Sequence, residues 1–530
     1  MFWYDEPSRT VIYDTPYAAG LVPLLDGAAH ADTILRVPAT VRNMQVCTHY
    51  GLPSIPIVDL DYDWPIKAPF HPREHQKVMT NFMVVNPRSF NLSDMGTMKT
   101  LATLWACDYL MYCYAPGTCR AIIASPLSTL QRVWGDALFK HLLGRRTFVV
   151  VNGSTHAARR KQLAQPADFY IIGHDALKQG AKVNKRRQLM LEGLSKDIVD
   201  RTDIMIGVID EVGSGFRDES SMRSKCARMN IAKKPYFWPL TGTPTPNGPE
   251  DAHGLARLMG STTESFNAYR QRIMYKVSDF KWVPRVGATE EAYKILQPSI
   301  RYEMRECTDV PPCTEQMRDV ELSPQQQRLY KELKRDLILQ LENSQVVAVN
   351  EAALRLKLIQ ICCGAVYDSG EERTVTRIDC SPRLAVLREV IEEAQRKVII
   401  FAPLTSVVHL LYDELKEYSR AMINGDVKVK ERDKIFESFQ NAADPQIIIA
   451  DPATMSHGLD LFAASVVVWY GATDRTELYL QANRRIDRPG QTVATTIVQL
   501  AATAAEREIF KRAANNTAMQ GAILDMVREQ

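Results

Sequence analysis

Short apolar runs alternate with amphipathic stretches along two parts of the chain. Between Phe70 and Gly260 the β-rich runs are "RAIIAS", "TFVVVNG", "FYIIGH", "IGVIDE" and "FWPLTG", separated by helix-like patterns such as "REHQKVMTNFMVV". A second series, "KVIIFA", "AMING", "QIIIAD", "SVVVWYG" and "TTIVQL", begins after Arg396. Strands that are apolar throughout are buried on both faces, and helices between them indicate parallel sheets. The pattern predicts an α/β protein with two parallel-sheet lobes and a ligand in the cleft between them.

The remaining segments divide the chain further. A chain of 530 residues exceeds the ~250–300 residues at which single cores stop growing. The start of the chain has short β-like runs with many prolines, the middle is mostly helical ("SPQQQRLYKELKRDLILQLEN"), and the end is a helix-like tail. We therefore predict an accessory N-terminal region (1–66), a first lobe (67–260), a helical insertion (261–390), a second lobe (391–502) and a C-terminal helical tail (503–530).

Composition is typical of a globular protein, with 45% hydrophobic and 24% charged residues. The net charge of +3 neither requires nor excludes nucleic acid, because a basic groove can exist within a balanced total. The amino terminus does not resemble a secretory signal, and the apolar runs are shorter than the ~20 residues that span a bilayer. The scattered cysteines lack the CxxC pairing of a zinc site. We therefore predict a cytoplasmic protein with reduced thiols and no membrane association.

The first candidate for chemistry is "NLSDMGTMKT", residues 91–100. It lies between a short apolar run and the helix-like "TLATLWACDYLMY", and strand, loop and helix in that order are the context of a phosphate-binding loop. Backbone N–H groups and the helix N-terminus attract phosphate there. Lys99 adds a positive charge, and the Thr100 hydroxyl is a possible Mg²⁺ ligand. However, Ser93 and Met98 stand where such loops usually carry glycine.

Two more candidates close apolar runs of the first lobe. In "VIDEV", Asp210 and Glu211 are suited to hold Mg²⁺ and to orient or deprotonate an attacking water. In "LTGTP", the hydroxyls of Thr241 and Thr243 could sense the state of a nucleotide. Taken singly, the acids could equally open a solvated loop, and the second segment could be a plain turn.

The last candidate lies in the second lobe, in "QANRRIDRPGQ". Arg485 and Arg488 are three residues apart, so on a helix they share one face. Two guanidinium groups in a cleft suit the charge that develops on a transferring γ-phosphate. The alternative is a solvated basic helix end.

Taken in order, these motifs resemble the Swi/Snf-type ATPases of helicase superfamily 2, from about Phe70 to the C-terminus. "SDMGTMKT" stands where that family has DEMGLGKT, and "LTGTPTPN" is close to its LTGTPIQN. "SHGLDL" is similar to HGLNL, and "QANRRIDRPGQ" to QAIGRAHRIGQ. "HPREHQ" resembles the segment that recognises adenine, and "VIDEVGSGF" the acidic motif. The resemblance implies two RecA-like lobes that use ATP and Mg²⁺.

The resemblance also implies roles for individual residues. The catalytic residues would be Lys99, Asp210, Glu211 and the two arginine fingers, Arg485 and Arg488. Mg²⁺ would be held by Thr100 and Asp210. ATP would be bound by Arg73, Gln76, Asp94, Met95, Gly96, Thr97, Met98, Lys99, Thr100, Gly458 and Asp460. Contact with DNA, or its coupling to ATP, would involve Ser128, Thr129, Thr241, Thr243, His457 and Gln481.

The sequence departs from the family pattern at the site itself. Met98 replaces the loop glycine, Val212 and Gly213 replace an Ala-His pair, and Asp487 replaces the histidine between the arginine fingers. If the loop needs a positive φ at Met98, a strain of order 1–3 kcal/mol follows. All the charged groups expected to touch phosphate, metal and water are present, which predicts a working ATPase.

The resemblance implies a monomeric, compact, bacterial- or viral-like translocase. It would use ATP to move along DNA, and we expect double-stranded DNA, during replication, repair or recombination. One alternative is a strand-separating DNA or RNA helicase. Another is a catalytically impaired protein that uses the motor fold as a DNA clamp. The basic stretch "KQGAKVNKRRQ", residues 178–188, is either a DNA contact or a solvated loop.

Overall fold

The structure, a computed structural model, describes residues 2–65, 71–186, 188–277, 282–342, 348–367, 375–455 and 461–528. The N-terminal region is an antiparallel sheet of order β1-β2-β4-β3 with three helices. Its elements are β1 (Phe2–Asp5), β2 (Thr10–Asp14), α1 (Ala18–Leu21), β3 (Ala29–Ala31), β4 (Ile34–Pro38), α2 (Val41–His49) and α3 (Ile57–Asp61). Its buried Val11, Tyr13 and Leu35 belong to the same apolar cluster as Trp105 and Ile123 of the first lobe. The accessory region therefore shares a core with that lobe.

The first lobe is built on a five-stranded parallel sheet of order β12-β11-β6-β8-β7. The strands of the lobe, including three outside this sheet, are β5 (Phe90–Asn91), β6 (Arg120–Ser125), β7 (Phe148–Val151), β8 (Phe169–Gly173), β9 (Lys182–Val183), β10 (Leu189–Met190), β11 (Ile204–Ile209) and β12 (Tyr236–Pro239). Its helices are α4 (Glu74–Val85), α5 (Lys99–Cys113), α6 (Asp136–Leu142), α7 (His156–Leu163), α8 (Gly193–Asp200), α9 (Met222–Met229) and α10 (Ala252–Met259). Short bridges connect β5 to β12, while β9 and β10 form a separate antiparallel ribbon.

The middle of the chain contains strands as well as the predicted helices. Its elements are α11 (Phe266–Ile273), β13 (Met274–Lys276), β14 (Trp282–Pro284), α12 (Ala288–Ile295), β15 (Ser299–Ile300), α13 (Met304–Cys307), β16 (Cys313–Asp319), α14 (Pro324–Glu342), α15 (Ala348–Cys363), β17 (Ala365–Tyr367), β18 (Val375–Arg377) and α16 (Ser381–Glu393). β15 pairs with β5 of the first lobe, and β16 pairs with the last strand of the second lobe. This part of the chain therefore contributes to both lobes.

The second lobe is a six-stranded parallel sheet of order β16-β23-β22-β19-β21-β20. Its remaining elements are β19 (Lys397–Phe401), α17 (Thr405–Glu414), β20 (Arg420–Ile423), α18 (Val429–Asn441), β21 (Ile447–Ala450), β22 (Ala464–Trp469), α19 (Thr476–Asn483), β23 (Thr495–Ala501) and α20 (Ala504–Arg528). The final helix, α20, contacts α19 and β23 of its own lobe and also α12 and β15. The predicted α/β class with two parallel-sheet lobes is confirmed.

Parallel register brings the candidate residues of the first lobe to one edge. Ile209, the last residue of β11, lies opposite Ala124 of β6 and Pro239 of β12, and Ser125 lies opposite Gly173 of β8. The segments that follow these strands therefore begin side by side. No helix in the described parts of the chain combines the length and apolar character that crossing a bilayer requires.

Candidate active site

The loop between β5 and α5 has the backbone of a phosphate-binding loop. Gly96 adopts φ +91°, and Met98, the residue before α5, adopts φ 57° and ψ 35°. The left-handed region favours glycine, so Met98 occupies a strained position. Lys99 is buried, and its Nζ donates a hydrogen bond to the Ser93 carbonyl at 2.9 Å. Thr97 Oγ1 donates to the Asp94 carbonyl at 2.8 Å, which closes the loop.

The two candidate acids follow β11 directly. Asp210 is buried, and its Oδ2 accepts a hydrogen bond from Trp134 Nε1 at 2.9 Å. Its Oδ1 accepts from the backbone N–H of Glu211 at 3.0 Å. Glu211 itself has φ 49° and ψ 45°. Its Oε2 is buried and has no hydrogen-bond partner among the described residues, so this oxygen is available to a ligand.

Burial perturbs the acidity of both carboxyl groups. Burial and the adjacent Glu211 raise the pKa of Asp210 to about 6, against the opposing effects of Lys99 and Trp134. Burial also raises the pKa of Glu211, while Lys99, Arg485 and Arg488 act to lower it. Charges from both lobes therefore act on Glu211.

The structure has no space for a side chain at Gly213, the position where the family pattern has a larger residue. A Cβ atom on Gly213 would lie 2.7 Å from the Thr243 carbonyl oxygen and 2.9 Å from Thr241 Oγ1. Thr241 Oγ1 accepts a hydrogen bond from the backbone N–H of Thr243 at 3.1 Å. Thr243 Oγ1 is buried without a partner among the described residues. The two threonines thus lie directly behind the acids.

One cavity of about 400 Å³ brings the candidates of both lobes together. Its described lining residues include all five predicted catalytic side chains: Lys99, Asp210, Glu211, Arg485 and Arg488. Met95, Gly96, Met98, Thr100 and Thr129 line it as well. Arg485 lies just beyond α19 and is buried. An ammonium and two carboxylates from the first lobe therefore share a cavity with two guanidinium groups from the second.

The donor set in this cavity suits Mg²⁺. Carboxylate and hydroxyl oxygens are provided by Asp210, Glu211 and Thr100, which all line the cavity, and Mg²⁺ is bound through oxygen, one or two carboxylates and substrate phosphates. The free Oε2 of Glu211 fits the same role or a bound water. In the described part of the chain, no group of three or more His, Cys, Asp or Glu residues is placed to hold a metal.

Ion pairs join the phosphate loop to the second lobe. Asp94 lies 3.0 Å from Arg301 and 3.8 Å from Arg484 of the second lobe. Arg484 in turn donates to Asp487 Oδ2 at 2.9 Å. A Cβ atom on Gly96 would lie only 2.8 Å from Pro489 Cδ. The loop and the arginine-bearing segment are therefore in direct contact.

Sequence reasoning missed three basic residues of the cavity wall. Arg132, Lys140 and His141 line the cavity beside Val133 and Ala137. Arg132 lies in a π-helical turn, residues 130–135, that precedes α6. The spacing of positions 133, 137, 140 and 141 places them on one helix face, and this signal was present in the sequence. Arg132 also forms an ion pair with Asp433 of the second lobe.

The residues expected to recognise adenine lie at the start of α4. Arg73 donates from Nη1 to the Cys307 carbonyl at 2.8 Å. Gln76 is buried, and its Oε1 accepts a hydrogen bond from the Arg73 backbone N–H at 2.9 Å. Neither is among the described residues that line the cavity of Lys99.

The predicted DNA-coupling residues lie in different environments. Ser128 is exposed, whereas Thr129 is buried, contacts Ser125 Oγ and lines the nucleotide cavity. Gln481 donates from Nε2 to Glu477 Oε1 at 3.2 Å. His457, Gly458 and Asp460 lie outside the described residues.

Gln481 also lines a second cavity between the lobes, of about 480 Å³. Arg217 of the first lobe forms an ion pair there with Glu477 of the second, and another with Asp251 at 3.3 Å. His174 lines the same cavity, and its Nε2 contacts the Asp210 carbonyl at 2.8 Å. His174 therefore connects the wall of the second cavity to the backbone of Asp210.

Two family models match most of the chain. Residues 75–365 match the family described as "SNF2-related domain", and residues 382–490 match "Helicase conserved C-terminal domain". The chain is 24% identical over 440 residues to "Putative protein p41" of Acyrthosiphon pisum secondary endosymbiont phage 1, which covers 79% of this chain and 88% of that protein.

Other relatives are considerably longer than this chain. An uncharacterized ATP-dependent helicase of Mycoplasma genitalium is 27% identical over 311 residues, which is 56% of this chain but 28% of the relative.

Among solved structures, the "Sulfolobus solfataricus SWI2/SNF2 ATPase core in complex with dsDNA" has a TM-score of 0.38 and 20% identity, and the match covers 88% of this chain and 96% of that chain.

Proposed function

The chain belongs to the SNF2-related family of ATP-dependent helicases and ATPases, and on that premise we propose that it is a monomeric translocase that uses ATP to move along duplex DNA. The observation that carries the proposal is the single cavity lined by Lys99, Asp210 and Glu211 from one lobe and by Arg485 and Arg488 from the other. A triphosphate in this cavity would contact both lobes at once.

The first lobe would bind and orient the substrate. The backbone of the phosphate loop and the start of α5 attract phosphate, and Lys99 is held over the loop by its bond to Ser93. Glu211 Oε2, which is buried and free, would accept a hydrogen bond from the attacking water and take up its proton. General-base groups of this kind contribute roughly 10²–10⁴-fold to a rate.

Thr100 and Asp210 would hold Mg²⁺ together with the substrate phosphates. When bound, Mg²⁺ would neutralise charge that develops on the phosphate oxygens. Trp134 fixes Asp210 by its indole hydrogen bond, which orients the carboxylate towards the cavity.

The second lobe would complete the site only when the cleft is closed. Arg485 and Arg488 would stabilise negative charge on the γ-phosphate, and such arginine fingers contribute roughly 10³–10⁵-fold to turnover. Hydrolysis removes the group that links the lobes, so the cleft can reopen. If DNA lies across both lobes, this cycle moves one lobe relative to the other along the phosphate backbone, mostly without reading bases.

The test is ATP hydrolysis with and without blunt duplex DNA. We expect DNA to stimulate turnover of the wild-type protein. Lys99→Ala and Arg485→Ala should reduce stimulated turnover by at least about 10³-fold, and Glu211→Gln by at least about 10²-fold. If the wild-type protein bound DNA without hydrolysing ATP, the proposed translocase would be wrong and the DNA clamp would be the better interpretation.

A second pair of assays distinguishes translocation from strand separation. We expect the protein to displace a third strand from an unbroken triplex, which reports movement along duplex DNA. We also expect no ATP-dependent separation of a forked duplex under the same conditions. Separation of the fork without triplex displacement would instead identify a strand-separating helicase. We place the activity in DNA replication, repair or recombination. The match to a phage protein over 79% of this chain and 88% of that relative supports a phage-type member of the family.

A further inference from the structure

A two-stranded ribbon, residues 182–186 and 188–190, lies exposed at the surface of the first lobe. Val183 lies opposite Leu189 and Lys182 lies opposite Met190, so Val183 and Met190 are on opposite faces of the ribbon. Their side chains are 52% and 49% exposed. Neither face is therefore fully covered by the body of the lobe. We call this segment the basic ribbon.

The basic ribbon is held firmly at its base. A Cβ atom on Gly180, which has φ +85°, would lie 2.3 Å from the Glu192 carbonyl oxygen. Lys182 Nζ lies 2.7 Å from Glu192 Oε2, and the Ser195 backbone N–H donates to the Gln179 carbonyl at 2.9 Å. These contacts fix the direction in which the two strands leave the lobe.

One side chain, that of Asn184, joins the two strands near the tip. Asn184 Oδ1 accepts hydrogen bonds from the backbone N–H groups of Arg186 at 3.0 Å and Gln188 at 2.9 Å. The Asn184 N–H donates to the Gln188 carbonyl at 3.0 Å. An isolated two-stranded hairpin is only marginally stable, so the closed turn and the fixed base are what keep this ribbon formed.

Positive charge at the tip is uncompensated, in contrast to the charge at the base. Lys178 pairs with Asp175 at 2.9 Å, and Lys182 pairs with Glu192. Lys185 and Arg186 are exposed, and no carboxylate of the described residues forms an ion pair with either of them. Two free cations therefore project from the end of a rigid arm.

The basic ribbon arises at the edge of the sheet that carries the active site. β8 ends at Gly173, and His174, the next residue, contacts the Asp210 carbonyl and lines the second cavity between the lobes. A short 3₁₀ segment, residues 174–178, then leads into the ribbon. The ribbon therefore begins on the side of the sheet where the acids follow β11.

We propose that the basic ribbon is a DNA-binding element whose Lys185 and Arg186 contact the phosphate backbone of the duplex. This inference rests on the proposed function. Free lysine and arginine side chains complement a polyanion, and phosphate contacts supply most of sequence-independent binding.

The experiment compares duplex DNA affinity of the full chain at several salt concentrations. We expect Lys185→Ala/Arg186→Ala to raise the Kd several-fold and to reduce the slope of log K against log salt by about 1.8, because each phosphate contact contributes about 0.9. ATP turnover without DNA and the unfolding temperature should stay unchanged, since both side chains are exposed and outside the nucleotide cavity.

A matched control removes two other exposed lysines of the same lobe. Lys161 and Lys233 precede β8 and β12 and thus lie near the opposite, amino-terminal edge of the sheet. Lys161→Ala/Lys233→Ala should leave the salt slope unchanged.

Equal affinity and equal salt slope for the ribbon variant and the wild type would overturn the proposed role of the ribbon while leaving the motor intact. Wild-type protein that fails to bind duplex DNA would overturn the proposed function and this role together. A ribbon variant that keeps DNA binding but loses a protein partner would assign the ribbon to a protein interface instead.

Discussion

Backbone strain at the scale of single residues is concentrated at the nucleotide site. The described residues other than glycine with positive φ are Arg9, Asp32, Met98 and Glu211. Two of these four line the cavity that also contains Lys99. Such strain persists where the surrounding structure enforces it and often accompanies function. The sequence left open whether the loop needs a positive φ at Met98, and the structure shows that Met98 has one.

Replacing Met98 by glycine should relieve part of this strain. The left-handed conformation costs an ordinary residue roughly 1–2 kcal/mol, so we expect Met98→Gly to raise the unfolding temperature of the first lobe by about 2–4 °C. Met98→Ala removes the same side chain but keeps Cβ, and should give no such rise. Calorimetry of the two variants checks this, and equal midpoints for both would contradict it.

The raised pKa of Asp210 makes stability depend on pH. The pKa of an unfolded aspartate is near 4, and in the folded protein it is about 6. Folding therefore becomes less favourable as the pH rises from about 4 to about 6, and the penalty is fully present above that range. Asp210→Asn removes the ionising group.

We expect Asp210→Asn to be more stable than the wild type at pH 8, by on the order of 2 kcal/mol, and the difference to shrink towards pH 5. The measurement is thermal unfolding without nucleotide and with a chelator present. A difference of the same size at both pH values would show that ionisation of Asp210 is not its cause.

At the scale of elements, the segment after α19 decides how Arg485 and Arg488, the proposed arginine fingers, are held. Arg485 and Arg488 both lie in the segment after α19, where Asp487 accepts a hydrogen bond from Arg484. The side chain of Asp487 is 9% exposed, and Arg484 also reaches Asp94 in the phosphate loop. This pair connects the conformation of the segment to the opposite lobe.

Breaking the pair of Arg484 and Asp487 should lower the rate of ATP hydrolysis more than it weakens the binding of ATP. Asp487→Asn removes the charge that holds Arg484, and a shift of the fingers by about 1 Å can cost up to roughly 10²-fold in rate. We expect kcat for ATP to fall by about 10–100-fold with little change in KM, since the fingers act on transition-state charge. Steady-state kinetics measures both constants. Asp487→Glu should recover part of kcat, and an unchanged kcat in Asp487→Asn would contradict this role.

The sequence predicted those elements whose residues are buried on both faces. The runs that became β6, β8, β11 and β19 are apolar throughout, and the acids and threonines were recognisable because they follow such runs. By contrast, β16 reads "CTEQMRD" and is largely exposed. A polar edge strand has no apolar period to reveal it, so its pairing with β23 was not predictable.

The side-chain partners across the cleft could not be predicted from the sequence either. Arg132 with Asp433 and Arg484 with Asp94 are distant in the chain, and nothing in their local patterns links them. The sequence showed Gly213 only as a departure from the family pattern, and the close approach of Thr241 and Thr243 to this position became visible in the structure.

At the scale of the whole molecule, the lobes are joined by ion pairs on both sides of the cleft. Arg132 pairs with Asp433 beside the nucleotide cavity, and Arg217 pairs with Glu477 in the second cavity. Arg132 and Asp433 are about one-third exposed, so their pair contributes roughly 0–1 kcal/mol. Contacts of this strength favour the closed arrangement and still allow opening.

Reversing the charge at one member should favour the open arrangement. We expect Arg132→Asp to increase the ratio of open to closed molecules by up to about fivefold, measured as energy transfer between one dye on each lobe. The double variant Arg132→Asp/Asp433→Arg should restore closure because the pair is re-formed in the opposite sense. Equal opening in the single and double variants would show that this ion pair does not control the cleft.

The path of α20 limits the kind of movement that is open to the lobes. This helix starts from β23 in the second lobe and reaches α12 and β15, and β15 pairs with β5 at the entrance to the phosphate loop. The lobes consequently cannot separate by straight translation without unpacking it. We expect the lobes to rotate relative to each other while α20 stays packed on both. Part of the force would then act through β15 on β5, the strand that precedes the phosphate loop.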